Sequence, residues 1–391
     1  MKDDGCLLSL AFLLATEATS KPISAPKPQV LGPRAGLNVL KTTTTDTHTI
    51  DWIAIDSQGT IASAPPLPPR GTSRNNGTKP MSELMHPDAE LGPPGTVPIP
   101  RVNANLQARS NGATKQPPPT DSAQKRATTD YKGRHWYVTS KSIVANLGGS
   151  AAFSMFAPYL QDPEDFSLLE ISVAKAIQLS KDKSGLQTVE AGWINYPSQV
   201  SKPHLFSFFT TNNYESIGNY KGGYNNDHIG WVQSHNKYYP GAVFPTLSVE
   251  GGAQQEIHIQ YHMHEGNWWL GVHDAWIGYY PGSLFSDAHA DASLAAGADI
   301  IQYYGEVTNG PSALTTSDMG SGQFADAGMG KAAYIHNMVY EDFSSGMHDY
   351  TGAFKEGDKT RYSHDAHLSS GTNLGSYVFI GGPGAGGVVG G

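Results

Sequence analysis

The strongest constraint on the fold is the pattern of apolar residues from Tyr131 onward. There the chain consists of short runs rich in β-branched and aromatic residues. Glycine, asparagine, aspartate and proline interrupt these runs at roughly the 8–12-residue spacing of sheet proteins. Examples are FSLLEISVAKA, QTVEAGWINYP, LFSFFTTN, QQEIHIQYHMH and NWWLGVHD. No run sustains a helical period, and only DAHADASLAAGADI is expected to form a short helix or turn. The pattern predicts an all-β fold, a two-sheet antiparallel sandwich over about residues 130–390.

The preceding segment, from Lys21 to about Thr129, has a different composition. It is rich in proline, glycine, serine and threonine, as in SAPPLPPRG, LGPPGTVPIPR and TKQPPPTDSAQKR, and large apolar residues are sparse. Such a sequence buries too little apolar surface to offset the entropy of ordering, so we expect it to be largely extended or disordered. One part, HTIDWIAIDSQG, alternates like a strand that ends in a turn. The composition changes near Ala127, which we take as the boundary of the sandwich.

The first twenty residues contain an apolar run from Cys6 to Ala15, followed by small residues. The run has the length of a signal-peptide core and is too short to span a bilayer as a helix. We therefore expect residues 1–20 to be a signal peptide, the protein to be secreted, and no membrane partner. Cys6 is the only cysteine, so the mature chain would have no disulfide and no thiol nucleophile. The net charge of -9, without a basic stripe, argues against binding to nucleic acid.

The stretch EIHIQYHMH is the clearest strand, and it places His258, His262 and His264 on one face. His262 and His264 could reach one zinc ion, with His273 or Asp274 nearby in the sequence. A polar outer face of a sheet produces the same pattern. The sequence favours a solvated or cleft-lining face, and no metal or other cofactor is expected.

Two glutamates stand in apolar, strand-like stretches: Glu190 in LQTVEAGWINYP and Glu306 in IIQYYGEVTN. Burying an ionised carboxylate without a partner costs several kcal/mol, so such a group is normally paired, protonated or functional. If both met on one sheet face, at least one pKa would rise, and one carboxyl could activate water while the other donates a proton. The alternative is two structural glutamates bonded to backbone or arginine. No G-x-S-x-G elbow or phosphate-binding glycine loop offers a different chemistry.

Six motifs in order resemble the catalytic domain of the neprosin family, secreted glutamic peptidases that cut after proline. They are VEAGW, GNWWLGV, IGYYPGSLF, YYGEV, SDMGSGQF and KAAYIHNM. GTVPIPR resembles the end of the family's activation peptide, and FIGGPG resembles the C-terminal signature of its microbial members. The resemblance covers nearly everything from Leu91 to Gly384. It implies a sandwich of two strongly bent antiparallel sheets, of jelly-roll or lectin-like kind, with a substrate cleft on the concave face.

The resemblance also implies roles for single residues. Glu190 and Glu306 would activate water for peptide hydrolysis, without a metal or a covalent intermediate, and a mechanism that needs one protonated carboxyl should work best in acid. Gln233, Tyr304 and Gln302 are candidate donors to the oxyanion, and Gln233 lies in a stretch similar to a family FVQ motif. The tryptophans that could line the cleft, although such rings more often fill the core, are Trp193, Trp231, Trp268 and Trp269.

These inferences give a domain organisation. Residues 1–20 form a signal peptide, 21–127 a propeptide, and 128–391 a catalytic sandwich that ends in a glycine-rich tail. The sequence thus predicts a secreted glutamic endopeptidase made as a zymogen, whose partners are a peptide or protein substrate and its own propeptide. A glycoside hydrolase with paired carboxylates and a non-catalytic extracellular binding module are the alternatives. Unlike the plant members, the chain has no cysteines in GNYKGGYNNDHIGW, and Gly92-Pro93 stands where they have Cys-Pro.

Overall fold

The computed structural model describes residues 36–66, 90–101, 115–118, 130–288 and 292–391. The predicted signal peptide and the predicted propeptide boundary lie outside these ranges. Within them the secondary structure is almost entirely β, with one four-residue helix, α1 (Ser283–Ser286), and short 3₁₀ turns. No helix in this part of the chain is long and apolar enough to cross a membrane.

The strands follow in chain order. They are β1 (Val39–Thr44), β2 (Thr49–Ala54), β3 (Thr96–Pro100), β4 (Arg134–Ser140), β5 (Ser142–Asn146), β6 (Gly148–Ser154), β7 (Ser167–Ser180), β8 (Lys183–Tyr196), β9 (Val200–Thr210), β10 (Gly222–Tyr224), β11 (Val232–Gln233), β12 (Glu256–His264), β13 (Asn267–Val272), β14 (Ala275–Pro281), β15 (Ala298–Asn309), β16 (Ala333–Glu341), β17 (Met347–Asp349), β18 (Phe354–Glu356), β19 (Ser363–His367) and β20 (Tyr377–Gly381). The stretch expected to form a short helix or turn contains a 3₁₀ turn, Leu294–Ala296.

Two large sheets contain the strands from β4 onward. Sheet I has eight strands in the order β10-β9-β8-β7-β15-β4-β18, with β5 beside β15. Sheet II has nine strands in the order β11-β14-β13-β12-β6-β16-β20-β19, with β17 beside β16. Every pairing within them is antiparallel. The predicted all-β antiparallel sandwich is confirmed.

The main core lies between the two sheets. Side chains alternate along a strand, so Leu169, Ile171 and Val173 of β7 all face the same way. They pack in one apolar cluster with Phe153 and Ile259 of sheet II. The period-two pattern of the sequence therefore folds as expected, because each sheet buries one apolar face against the other.

The opposite face of sheet I is also buried. A second apolar cluster lies there, built from β7, β8, β9 and β10 and from Tyr214 in the loop after β9. Its fully buried members include Leu168, Ile194 and Phe206. Since both faces of the central strands are covered, a polar side chain on this face is removed from bulk water.

The upstream segment contains more structure than its composition indicates. The strand expected in HTIDWIAIDSQG is confirmed as β2, followed by a 3₁₀ turn, Ile55–Gln58. The expectation of a largely extended segment missed a three-stranded antiparallel sheet, β1-β2-β3. This sheet forms because Ile53, Val97 and Ile99 make a small apolar cluster of their own, which the surrounding prolines obscure in the sequence.

This upstream sheet is docked onto the sandwich by specific contacts. The side-chain amide of Gln58 both donates to the backbone carbonyl of Gln233, at 2.8 Å, and accepts from its backbone N–H, at 2.9 Å. The backbone N–H of Ala62 donates to the hydroxyl of Tyr279 at 3.0 Å. The described residues of this segment thus contact the sandwich at defined positions.

Candidate active site

Three glutamates share one face of sheet I, on three adjacent strands. Glu190 of β8 is opposite Ser172 of β7, and Glu306 of β15 is opposite Leu168 of β7. Glu170 lies on β7 midway between those two positions, and it is a diagonal neighbour of both other glutamates. The side chains of all three glutamates are completely buried. Strand register therefore brings together carboxyls that are far apart along the chain.

The three carboxyls meet at the ammonium group of Lys115, a residue of the upstream segment. Its Nζ forms an ion pair with Oε1 of Glu170 and lies 2.6 Å from Oε2 of Glu190. The same nitrogen is 3.7 Å from Oε2 of Glu306. Lys115 is itself only 1% exposed. The two glutamates singled out in the sequence thus face one shared point, and a third accompanies them.

The environment of Lys115 keeps it charged. Burial by itself lowers the pKa of Lys115, but the attraction of the three glutamates outweighs burial and raises it. Aromatic rings complete the pocket around its nitrogen, at 5.3 Å from the ring centre of Phe206 and 5.4 Å from that of Tyr304. Burial raises the pKa of Glu170 well above its usual value; Lys115 opposes this rise and the two other glutamates add to it.

Hydrogen-bond donors surround Glu190. The hydroxyls of Thr188, at 2.7 Å, and of Tyr214 both donate to its Oε1, while Oε2 faces Lys115. Burial, reinforced by the charge of Glu190, raises the pKa of Tyr214 well above its usual value, so this phenol remains a donor. Donors of this kind stabilise the ionised form of a carboxyl. Both oxygens of Glu190 thus accept hydrogen bonds.

Glu306 is held from the other side by strand β4. Nδ1 of His135 bonds its Oε1, and the hydroxyl of Tyr137 reaches the same oxygen at 3.1 Å. That hydroxyl also lies 2.9 Å from the backbone carbonyl of Gln116, next to Lys115, so one hydrogen serves two acceptors. Oε2 of Glu306 points to the shared centre and has no hydrogen-bond partner within the described ranges.

Two of the predicted oxyanion donors lie on this face. Tyr304 is directly opposite Glu170, and its hydroxyl has no hydrogen-bond partner among the residues that the structure describes. Burial raises the pKa of Tyr304 well above its usual value, so it is a neutral phenol that can donate. Gln302 is opposite Ser172, but its side-chain amide donates to the backbone carbonyl of Ser140 at 3.3 Å. Tyr304 is the better placed of the two.

Three other predicted contacts are corrected. Gln233 lies on β11 of sheet II, where its side-chain N–H groups donate to the carbonyls of His235, at 2.9 Å, and Tyr238, at 2.6 Å. Trp231 donates to the side-chain oxygen of Gln233 and packs in the main core. Trp193 lies three residues after Glu190 on the same strand, so it faces the opposite way, into the core. None of these three side chains reaches the carboxyl cluster, the group formed by Glu170, Glu190 and Glu306.

Trp268 and Trp269, the other two tryptophans considered for the cleft, lie on β13 of sheet II. The indole N–H of Trp268 donates to the backbone carbonyl of Leu294 at 2.9 Å, and its ring belongs to the main core. Trp269 packs against Tyr279 in a separate apolar cluster. Both rings fill the interior, which was the commoner expectation for them.

The histidine-rich strand β12 is part of sheet II. Nδ1 of His262 pairs with Oε2 of Glu341 at 2.7 Å. The ring of His264 stacks near that of His262, with ring centres 6.1 Å apart. Burial, followed by the charge of His336, lowers the pKa of His258 to about 4. Among the described residues, no group of three or more His, Cys, Asp or Glu side chains is arranged to hold a metal ion.

Sequence reasoning overlooked two residues of this site, Glu170 and Lys115, for different reasons. Glu170 stands in FSLLEISVAKA and gives the same signal as the other two glutamates, a carboxylate inside an apolar strand. It could have been found by that signal alone. Lys115 stands in the proline-rich TKQPPPT, where nothing local marks it, and its contact with Glu170 joins residues 55 positions apart.

Comparison with known proteins adds a family. The neprosin family model matches residues 163–383, more than half of the chain, and this range includes all three glutamates. Two solved structures are also similar. Scytalido-glutamic peptidase with a peptide-based transition-state analogue shows 7% identity and a TM-score of 0.33. SCP-B, a member of the eqolisin family of peptidases, in complex with the tripeptide Ala-Ile-His, shows 6% identity and a TM-score of 0.30. Each match covers 64% of this chain and 98% of the other.

Proposed function

This chain belongs to the neprosin family, and on that premise we propose that it is a glutamic endopeptidase, secreted as an inactive precursor. The observation that carries the proposal is the convergence of Glu190 and Glu306 on one point, where Oε2 of each lies within 4 Å of the same nitrogen, at 2.6 Å and 3.7 Å. Two buried carboxyls that flank one small polar group are suited to flank a water molecule once that group leaves.

In the proposed reaction, a water molecule takes the position of the ammonium group. Glu190 accepts a proton from this water as its oxygen attacks the carbonyl carbon of the scissile bond. Thr188 and Tyr214 support this role because they hold the charge of Glu190. Glu306 orients the water from the other side. Proton transfer to a positioned base of this kind accelerates such reactions by about 10²–10⁴-fold. The hydroxyl of Tyr304 is our candidate donor to the oxyanion.

The upstream segment acts as an inhibitory propeptide in this proposal. Lys115 fills the position that the attacking water needs, and Gln116 takes part of the hydrogen bond that Tyr137 offers to Glu306. An uncut chain in this arrangement would be inactive. Removal of residues up to about Ala127, where the composition changes, would open the centre.

This opening should become more favourable in acid, because it takes up a proton. The charge of Lys115 lowers the pKa of Glu170, against the larger effect of burial. When the lysine leaves, this effect is lost, and Glu170 binds a proton more tightly than in the closed chain. Opening therefore takes up protons, and it becomes more favourable as the pH falls. The ion pairs of Lys115 with Glu170 and Glu190 hold the closed form together.

Substrate preference and location rest on the family resemblance and on the N-terminal sequence. Cleavage after proline is what the resemblance implies, and secretion follows from the predicted signal peptide, residues 1–20. Mapping the cut sites in a denatured proteome, digested at several pH values by the acid-incubated chain, would establish the preferred residue. Cuts without enrichment for proline would overturn that part of the proposal alone.

The test of the proposed activity is conservative substitution of each glutamate. Glu190→Gln and Glu306→Gln, made in the full chain and incubated in acid, should each lose about 10³-fold or more of peptide hydrolysis. Glu256→Gln is the matched control, since Glu256 is a half-buried carboxylate of sheet II that accepts a hydrogen bond from Tyr334 at 2.7 Å. It should hydrolyse at the wild-type rate. A Glu190 or Glu306 variant with near wild-type turnover would overturn the proposal.

A further inference from the structure

Glu170 is the one buried carboxyl of the cluster that the proposed reaction does not yet use. Its Oε1 bonds to Lys115, and its Oε2 has no hydrogen-bond partner within the part of the chain that the structure describes. It lies on the central strand of the three, on the same face as Glu190 and Glu306. A buried carboxyl in this position faces the reacting atoms, so it must have a defined protonation state.

The partners of the three carboxyls differ, and the difference assigns the proton. Glu190 accepts from two hydroxyls, and Glu306 contacts Tyr137 and His135. Both keep these contacts when Lys115 departs. Glu170 loses the ion pair that is its only hydrogen-bonded contact in the described structure. Without a donor, and beside two carboxylates, the neutral form of Glu170 is the stable one.

We propose that Glu170 is a third catalytic carboxyl, the general acid that supplies a proton to the substrate. This inference deepens the proposed peptidase function and rests on it. Tyr304, directly opposite Glu170 on β15, would donate a hydrogen bond to the same developing oxyanion. The centre would then contain a base, a water-orienting carboxylate and an acid on three adjacent strands.

The protons balance over one turnover. Water forms a C–O bond to the scissile carbon and gives a proton to Glu190, while the C=O π bond opens and the oxygen takes the proton of Glu170. The resulting gem-diol then collapses. One hydroxyl returns its proton to Glu170 as the C=O bond forms again, the C–N bond breaks, and the proton on Glu190 passes to the leaving nitrogen. Both carboxyls end as they began.

The surroundings of Glu170 set the expected pH dependence. Burial raises the pKa of Glu170 well above its usual value, Lys115 opposes this rise in the closed chain, and the two other glutamates add to it. The titratable groups that face or influence it are Lys115, Glu190, Glu306, His135, Tyr137, Tyr214, Tyr224 and Tyr304. After the lysine leaves, its charge no longer opposes the rise. Turnover should therefore persist to a higher pH than an ordinary glutamic acid would allow, and then decline as Glu170 loses its proton.

The experiment compares kcat–pH profiles of the full chain after acid incubation, for wild type, Glu170→Gln and Glu170→Leu. Glutamine keeps a hydrogen-bond donor but cannot transfer a proton. We expect it to lose about 10²-fold or more in kcat and to lose the alkaline decline. Leucine, which keeps neither function, should be slower still. Glu256→Gln again serves as the control, and should keep both the rate and the profile of wild type.

A structural role for Glu170 gives a different result. Wild-type kcat in Glu170→Gln, or a reduced kcat with the alkaline decline unchanged, would overturn the assignment while leaving the roles of Glu190 and Glu306 intact. Activity in Glu190→Gln would overturn the peptidase proposal and this inference together.

If the Glu170 variants do not fold, the wild-type chain can still test the assignment of Glu170. Infrared titration of its protonated carboxyl band, after acid incubation, should give a midpoint that coincides with the alkaline decline in kcat. Absence of such a band across that pH range would contradict the proposal.

Discussion

Both sheets carry a concentration of ionisable side chains, but the two concentrations are built differently. On sheet I, three buried glutamates from three strands face one ammonium group. On sheet II, the histidines of β12 are close along the chain, yet His262 is paired locally with Glu341, and its side chain is 20% exposed. The comparison shows that strand register, which brings distant residues to one buried point, distinguishes a candidate active site better than density along the sequence does.

The largest difference between the two sheets is expected when Lys115, the shared partner of the three carboxyls of sheet I, is replaced. Lys115→Met removes the cation, and loss of one partner from a buried ion pair costs about 3–5 kcal/mol. The closed form should be weakened by this amount, so the uncut variant should cleave a peptide at neutral pH at least about tenfold faster than the uncut wild-type chain.

Lys41→Met is the matched control for this experiment. Lys41 also belongs to the upstream segment, but it pairs with Glu90, a largely exposed carboxylate. The control should remain as latent as wild type. If Lys115→Met were equally latent, Lys115 would not be what blocks the centre.

A smaller effect is expected from replacing His48, which lies between β1 and β2. It packs edge-on against Tyr239 of the sandwich, with ring centres 6.4 Å apart, and burial lowers the pKa of His48 to about 4. Between pH 6.5, the ordinary pKa of histidine, and about pH 4, the detached segment binds more protons than the docked one, so docking weakens as the pH falls through this window.

Replacing His48 should therefore reduce the response to acid. His48→Gln should release the upstream segment several-fold more slowly than wild type near pH 5, as followed by limited proteolysis of the segment. His367→Gln, on the outer strand β19, is the control and should be released like wild type. Unchanged release in His48→Gln would show that the carboxyl cluster alone senses acid.

The smallest effect is expected on the histidine strand. A chain with both His262→Asn and His264→Asn loses the partly exposed contact between His262 and Glu341, worth about 1 kcal/mol or less, and nothing from the carboxyl cluster. Its kcat/KM should stay within about twofold of wild type, and a chelator should change neither chain. A large loss in the variant, restored by zinc, would instead place chemistry on sheet II.

Much of the fold followed from the sequence because strand periodicity is a local signal. The alternation in β7, β8 and β12 and the turn residues between them were enough to predict two antiparallel sheets. The upstream sheet was harder, since its apolar cluster is assembled from Ile53 and two residues of β3 that lie more than forty positions later.

The candidate site was predictable only in part. Glu190 and Glu306 were visible because a carboxylate inside an apolar strand is costly, and Glu170 carries the same signal. Local alternation also contained the information that Trp193 faces away from Glu190. The meeting with Lys115 was not predictable, because it depends on a contact between residues 55 positions apart along the chain rather than on any local pattern.

The most direct test of the convergence of Glu190 and Glu306 is a double-mutant cycle on kcat/KM, measured with the acid-incubated full chain. If the two carboxyls act on one water molecule, the chain that carries both Glu190→Gln and Glu306→Gln should be about as slow as either single variant, since each substitution already disables the pair. Losses that multiply in the double variant would mean that the two glutamates act independently, and would contradict the shared centre.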